Sequence, residues 1–177
     1  MLKNIKMRRG YEITAIQLMP FRRDEIAEIC RNSLSWDILK EKGEDYFIRE
    51  SEGLPLLLFE ILRALTENPD SDCTNGLCGL MMDRIGKLSP IQQDILTALS
   101  VFTAGAEPAQ VAEVTGYTMA DILPAAESVI SKCLLREKLD DNRVIWDFIH
   151  SRVRECIYES ISLSKRQDLH RKAAEVL

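Results

Sequence analysis

The sequence has little of what nucleic-acid-binding and membrane-spanning proteins carry. Its 23 Lys and Arg residues are outnumbered by 28 Asp and Glu residues, which gives a net charge of -5. A domain that binds phosphate backbones normally has a basic surplus, so nucleic acid is not the expected partner. The longest apolar stretch, from Leu54 to Leu65, is interrupted by Glu60 and Arg63. It is shorter than the roughly 20 residues that cross a bilayer, so no membrane is expected either.

Cysteine and histidine are scarce and widely spaced. The five cysteines are an odd number at irregular intervals, and no secretory signal opens the chain, which indicates a reducing, cytoplasmic environment. Cys73 and Cys78 lie close together, but no second close pair follows and both histidines are far away, so no metal site is expected.

Motifs for catalysis are missing as well. The sequence has no G-x-x-x-x-G-K-[ST] phosphate loop, and it has no nucleophile with a base at a useful spacing. Asp140 and Asp141 are adjacent carboxylates, but beside Asn142 they are typical turn formers. We therefore expect no catalytic residue, and the chain is predicted not to be an enzyme.

The hydrophobic periodicity of the first half indicates helices after a single strand. The strand is predicted at residues 12–18, and three short amphipathic helices are predicted within residues 23–52. Gly53 suits the left-handed end of the third helix, and Pro55 suits the first turn of the next. That next helix, at residues 56–65, is apolar nearly all round and is expected to be the buried spine of a small bundle.

The second half begins after a polar stretch, residues 69–79, that has no periodicity and is the predicted domain boundary. Helices and then a hairpin with its turn at residues 140–142 are expected beyond it. Ser164 is expected to cap a final helix. The predicted elements are helices near 80–85, 91–101, 108–114 and 119–132, strands at 133–138 and 143–148, and a helix at 150–161. Helix, turn, helix and hairpin is the order of a winged helix.

A winged helix raises the alternative of a stand-alone DNA-binding regulator, with the helix near residues 119–131 in the major groove. That helix contains Asp121 and Glu127 but no Lys or Arg. The hairpin from Arg136 to Arg143 has three basic and three acidic residues, so neither element is suited to neutralise several phosphates. Direct DNA binding is therefore not expected. A protein-interaction scaffold without a ligand of its own is a third alternative.

The two histidines differ in position. His150 stands where the second hairpin strand gives way to a helix, and an imidazole there can reach an anionic ligand beside backbone N–H groups. A capping or packing role is the alternative for His150. His170 is expected on a solvated helix face or against the preceding helix, without chemistry.

Four stretches, in this order, resemble the STAND class of AAA+-related signalling ATPases, in particular the large bacterial transcriptional activators. Residues 16–21, followed by Asp24 and Glu25, resemble the junction between the last core strand and the lid. Residues 51–56 (SEGLPL) resemble the Gly-x-Pro motif. Residues 148–154 (FIHSRVR) resemble the motif that closes the winged helix, and residues 165–174 resemble the helix that leads into the sensor repeats.

The resemblance implies a regulatory part of a larger ATPase. In such proteins the Pro of Gly-x-Pro packs by the adenine, and the winged-helix His approaches the phosphates of bound ADP. In this chain the resemblance implies that the motif of Gly53 and Pro55 packs by the adenine and that His150 approaches the phosphates. No cofactor is expected in the chain itself, whereas ADP or ATP with Mg²⁺ is expected for the full-length parent, a slow ATPase switch. The expected partners are the nucleotide-binding core and the helical-repeat sensor of the same polypeptide.

The predicted fold class is therefore mainly α: a helical lid bundle, then a winged-helix domain with a small β-hairpin, then the start of a helical repeat region. The predicted divisions are 1–18 as strand and linker from the core, 19–74 as lid, 76–162 as winged helix and 163–177 as the first repeat helix. The lone strand and the uncapped last helix are expected of a piece of a longer polypeptide. The expected function is signal transduction in a cytoplasmic transcriptional regulator, by nucleotide-linked conformational switching.

Overall fold

The computed structural model describes residues 19–71 and 73–177. Within them the chain forms ten helices and one two-stranded antiparallel sheet, which confirms the prediction of a mainly α protein with a small hairpin. The predicted strand at residues 12–18 lies outside the described residues. The elements are α1 Arg23–Ser33, α2 Trp36–Lys42, α3 Glu44–Ser51, α4 Pro55–Glu67, α5 Gly76–Gly86, α6 Pro90–Leu99, α7 Pro108–Thr115, α8 Met119–Ser131, β1 Leu135–Asp140, β2 Arg143–Phe148, α9 Ser151–Ser160 and α10 Leu163–Val176.

The first hydrophobic cluster lies among helices α1 to α5. Helix α4 provides its centre, because Leu58, Ile61 and Leu65 recur at helical spacing and are fully buried. Burying each of these side chains contributes about 1.5–3 kcal/mol. The apolar residues of α4 continue beyond this buried stripe, because Phe59 on the same helix is 53% exposed. The neighbouring helices cover only the leucine and isoleucine stripe of α4.

The second cluster is larger and lies among α5 to α10 and the hairpin. Helix α6 begins where the sequence predicts, because Ser89 and Gln92 form a reciprocal capping box and Pro90 occupies the first helical position. Such a cap stabilises a helix by about 1 kcal/mol. The largest fully buried side chains of this cluster are Met81, Ile95, Leu96, Leu99, Ile122, Leu134 and Trp146.

The hairpin pairs β1 with β2, from Leu135 opposite Phe148 to Asp140 opposite Arg143. Asp141 and Asn142 have φ values of 44° and 64°, which is the geometry of the tight hairpin turn that their sequence predicts. The first strand begins at Leu135 and not at the predicted residue 133. Helix α8 continues to Ser131, and the chain then turns at Cys133, which has a φ of 55°.

A short segment before α7 extends this sheet. The Ala106 N–H donates to the Trp146 carbonyl over 3.0 Å, and the Trp146 N–H donates to the Ala106 carbonyl over 2.9 Å. Along the chain, α6 is therefore followed by the segment that contains Ala106, then by α7, α8 and the hairpin. The helix, turn, helix and hairpin that the sequence predicts are present in that order.

Helix α5 belongs to both clusters. Leu80 is buried in the first cluster and Met81 in the second, while Leu77 packs against both. The predicted loop at residues 69–79 is therefore too long, because α5 already begins at Gly76. Leu77 and Leu80 find apolar partners on either side, and this packing outweighs the low helix propensity of Gly76 and Gly79.

The last two helices follow the hairpin. Helix α9 begins after His150, and α10 packs along α7 with Leu169 and Ala173 buried. The prediction that Ser164 caps α10 is wrong: Ser162 is the cap, and its Oγ accepts from the Lys165 N–H at 3.4 Å. Helix α10 starts at Leu163, which places Ser164 inside its first turn.

Candidate functional site

The turn between α3 and α4 is held by the backbone around Gly53. Glu52 and Gly53 have φ values of 51° and 74°, so two consecutive left-handed residues end α3. The Gly53 carbonyl accepts from the Phe21 N–H at 2.8 Å, and the Gly53 N–H donates to the buried Ser51 Oγ at 3.3 Å. A Cβ at residue 53 would lie 2.8 Å from the Phe21 carbonyl oxygen. Both the left-handed φ and this close approach require glycine.

Gly53→Ala is expected to lower the free energy of unfolding by roughly 2–3 kcal/mol, through the left-handed conformation and the displacement of Phe21. Gly116→Ala is the matched control, because Gly116 also has a left-handed φ of 80° but has open space around its missing Cβ. Only the conformational cost of about 1 kcal/mol is expected there. Urea unfolding followed by helical circular dichroism measures both. Equal losses in the two variants would show that the contact with Phe21 does not matter.

An exposed apolar surface surrounds this turn. Pro55 is the first residue of α4, and Phe59 lies one turn later on the same face. Leu54 is 48% exposed, and the Phe21 ring meets the Phe59 ring edge-on with centroids 6.4 Å apart. We call Phe21, Leu54, Pro55 and Phe59 the α4 patch. A flat apolar ligand or the surface of another domain can pack on it.

His150 is the residue before the first turn of α9. Its backbone is extended, with φ of -127° and ψ of 126°, and its exposed side chain makes no capping hydrogen bond. The capping role considered for His150 is therefore absent. Its carbonyl accepts from the N–H groups of Val153 and Arg154 at 3.1 and 3.4 Å. The N–H groups of Ser151 and Arg152 precede the first intrahelical bond, so imidazole and helix start together present donors that suit an anion.

The predicted site residues lie on different elements. Gly53 and Pro55 form the α3–α4 turn, and His150 joins β2 to α9. Among the described residues, no hydrogen bond or ion pair joins His150 to that turn. None of the three lines the cleft of about 420 Å³ between α4 and α5.

A half-buried ion pair that sequence analysis did not identify joins the two clusters. Arg84 of α5 donates through Nη1 to Glu60 Oε1 of α4 at 2.9 Å, and both side chains are 13% exposed. Arg84 Nη2 also donates to the carbonyl of Lys132 at the end of α8. Burial lowers the pKa of Arg84, and the Glu60 carboxylate opposes this shift. A glutamate among the leucine and isoleucine residues of α4 is a signal for such a partner, but nothing in the sequence identifies Arg84.

The exposed surface of α8 is acidic and apolar. The exposed residues of this helix are Met119, Ala120, Asp121, Leu123, Pro124, Glu127 and Ser131. A helix that reads DNA needs cations or amides on this face, and α8 offers neither.

The described part of the chain contains no cluster of three or more His, Cys, Asp or Glu residues arranged to hold a metal ion. No described helix is both long enough and apolar enough to cross a bilayer. The acidic cleft-lining residues between α4 and α5 are accompanied by Arg63, Arg84 and Lys87, so that cleft has charges of both signs.

The chain matches no protein-family model, and neither a curated protein nor a solved structure is significantly similar to it.

Proposed function

We propose that this chain is the lid and winged-helix module of a STAND-type ATPase transcriptional regulator. In this proposal it couples the ADP or ATP state of the parent polypeptide to conformational switching. The observation that carries the proposal is the Gly53 turn, which fixes the backbone while leaving Pro55 and Phe59 exposed on α4. An adenine ring has a flat apolar face, on which a proline and an aromatic side chain can pack by dispersion.

His150 is the proposed contact for the phosphate groups of the nucleotide. Its imidazole has no hydrogen-bond partner among the described residues, and it stands beside the open N–H groups of α9. A protonated imidazole donates charge-assisted hydrogen bonds to phosphate oxygens. In the proposal, His150 approaches the phosphates of ADP while the α4 patch packs by the adenine.

A nucleotide-binding core of the same polypeptide is the missing element between these two places. In the proposal it supplies the phosphate loop and the Mg²⁺ site, so this chain performs no chemistry itself. A nucleotide held among core, lid and winged helix favours the closed arrangement by its differential affinity. Exchange of ADP for ATP then lets the parts rearrange, and a helical-repeat sensor after α10 receives or relays the signal.

The surface of α8 favours this switch over a stand-alone DNA-binding regulator. Asp121 and Glu127 are exposed on α8, and no lysine or arginine lies on that helix to offset them. Binding in the major groove would bring these carboxylates towards phosphates, which costs free energy at every salt concentration. DNA contact is therefore assigned to another segment of the parent.

The test uses the full-length parent purified with its bound nucleotide. His150→Ala is expected to speed ADP release roughly tenfold, the effect of losing one charge-assisted hydrogen bond. It is also expected to raise the basal output of a transcription reporter. The ADP that remains after gel filtration, measured against time by chromatography, gives the release rate.

His170→Ala is the control for this test, because His170 is also exposed. Its Nε2 forms a hydrogen bond of 3.0 Å with Tyr158 Oη, between α9 and α10. Its ADP release is expected to equal that of the unchanged protein. Unaltered release in the His150 variant would remove the role given to His150. A parent without a phosphate loop upstream of this chain would reject the proposed function as a whole.

A further inference from the structure

Two cysteines from distant parts of the sequence meet between α5 and α9. Cys78 and Cys156 are joined by a disulfide, with their Cα atoms 5.1 Å apart and a separation of 78 positions in sequence. Cys78 lies in the first turn of α5 and is half-buried, whereas Cys156 is 2% exposed. Nothing in the irregular spacing of the cysteines indicates this pair, because only the fold brings the two helices together.

The environment of Cys78 differs from that of other thiols in the chain. Burial raises the pKa of the Cys30 thiol to about 11, so it has almost no thiolate at neutral pH. Cys133 is exposed but has no disulfide partner. Cys78 combines partial exposure, a place near a helix N-terminus that favours a thiolate, and a second sulfur within bonding distance. These are the requirements for exchange with a small disulfide.

We propose that Cys78 and Cys156 are a reversible thiol–disulfide site, for which a low-molecular-weight disulfide such as oxidised glutathione is the oxidant. The Cys78 thiolate attacks one sulfur of the reagent, which forms a mixed disulfide and releases one small thiolate. The Cys156 thiolate then attacks the Cys78 sulfur and displaces the second. The two cysteines lose two protons and two electrons in total, and the reagent is reduced to two thiols.

The bond controls how firmly α9 is attached to α5. Without it, the attachment consists of apolar packing by residues such as Val153 and Ile157. Helix α9 begins immediately after His150, and α5 is the helix shared by both clusters. If the proposed function holds, oxidation therefore holds the start of α9, where His150 approaches the phosphates, against α5. The thiol–disulfide site itself does not depend on that function.

The test equilibrates the folded full chain in glutathione buffers from fully reduced to fully oxidised, then traps free thiols with an alkylating reagent and maps them by mass spectrometry. The Cys78–Cys156 bond is expected to form and to break within this range. A pair that stays bonded at the most reducing ratio is a permanent structural disulfide and overturns the proposal, as does a pair that stays reduced at the most oxidising ratio.

Two variants test the order of events. Cys156→Ser is expected to retain glutathione on Cys78, because the thiol that displaces it is missing; an unmodified Cys78 would contradict the mechanism. Cys133→Ser is the control and is expected to titrate like the unchanged chain. Amide hydrogen exchange in α9 is expected to speed up at least about tenfold on reduction. Equal exchange in both redox states would refute control of α9. None of these measurements involves nucleotide, so they stand apart from the ADP-release test.

Discussion

Replacement of Trp146 by alanine is expected to lower the free energy of unfolding by about 4 kcal/mol. The side chain is 1% exposed and is the largest fully buried one in the described chain. Its removal leaves a cavity between the hairpin and the helices, and it deprives Glu137 Oε1 of the indole N–H that lies 3.0 Å away. Because Trp146 also pairs with Ala106, the bridge that extends the sheet is expected to weaken at the same time.

Val144→Ala is the matched control for Trp146. Val144 lies two residues earlier in β2, on the same face of the strand, but is 43% exposed. A loss below about 1 kcal/mol is expected, because little buried surface and no hydrogen bond are removed. Trp146→Phe keeps most of the volume and is expected to be intermediate. Chemical unfolding monitored by circular dichroism gives the three values, and similar losses at residues 144 and 146 would contradict the packing described here.

Arg84→Met is expected to lower the free energy of unfolding by about 3 kcal/mol, even though methionine keeps much of the apolar stem. Glu60 would lose its closest cation while remaining 13% exposed, and the Lys132 carbonyl would lose its donor. Leaving the half-buried Glu60 with only the more distant Arg63, at 3.9 Å, costs more than an exposed ion pair contributes. Urea unfolding at two salt concentrations measures the loss, which is expected to change less with salt than the loss of an exposed ion pair, because each side chain of the pair is only 13% exposed.

Arg63→Met is the comparison for Arg84. Arg63 is 36% exposed and also interacts with Glu60, at 3.9 Å, and with Glu67, at 3.3 Å. Its replacement is expected to cost less than about 1 kcal/mol and to become smaller in high salt. If the two arginine variants lose the same amount with the same salt dependence, Arg84 does not connect the clusters in the way its contacts indicate.

Elements encoded by neighbouring residues were predictable from the sequence. The start of α6 at Ser89 and Pro90 depends on a cap and a proline within four residues, and the hairpin turn depends on Asp141 and Asn142. The left-handed position of Gly53 is of the same kind, since a glycine just after a helix commonly takes this conformation. Local backbone chemistry is sufficient for each of these predictions.

Features that join distant residues were not predictable in this way. The sequence predicts helices at the positions of α4 and near α5, but not the pairing of Glu60 with Arg84 or of Cys78 with Cys156. The early start of α5 also depends on tertiary packing, which overrides the two glycines of its first turns. The positions of Pro55 and His150 are now described. Their contact with nucleotide stays a prediction.

Helix α5 has a consequence for any attempt to divide this protein. A fragment that stops at residue 74 lacks Leu80, which fills the first cluster, and a fragment that starts at residue 76 exposes Leu80 to water. Met81, the next residue, is fully buried in the second cluster, so a tilt of α5 displaces side chains on both sides at once. Helix α5 therefore couples the two clusters mechanically, and a displacement of one cluster is transmitted to the other.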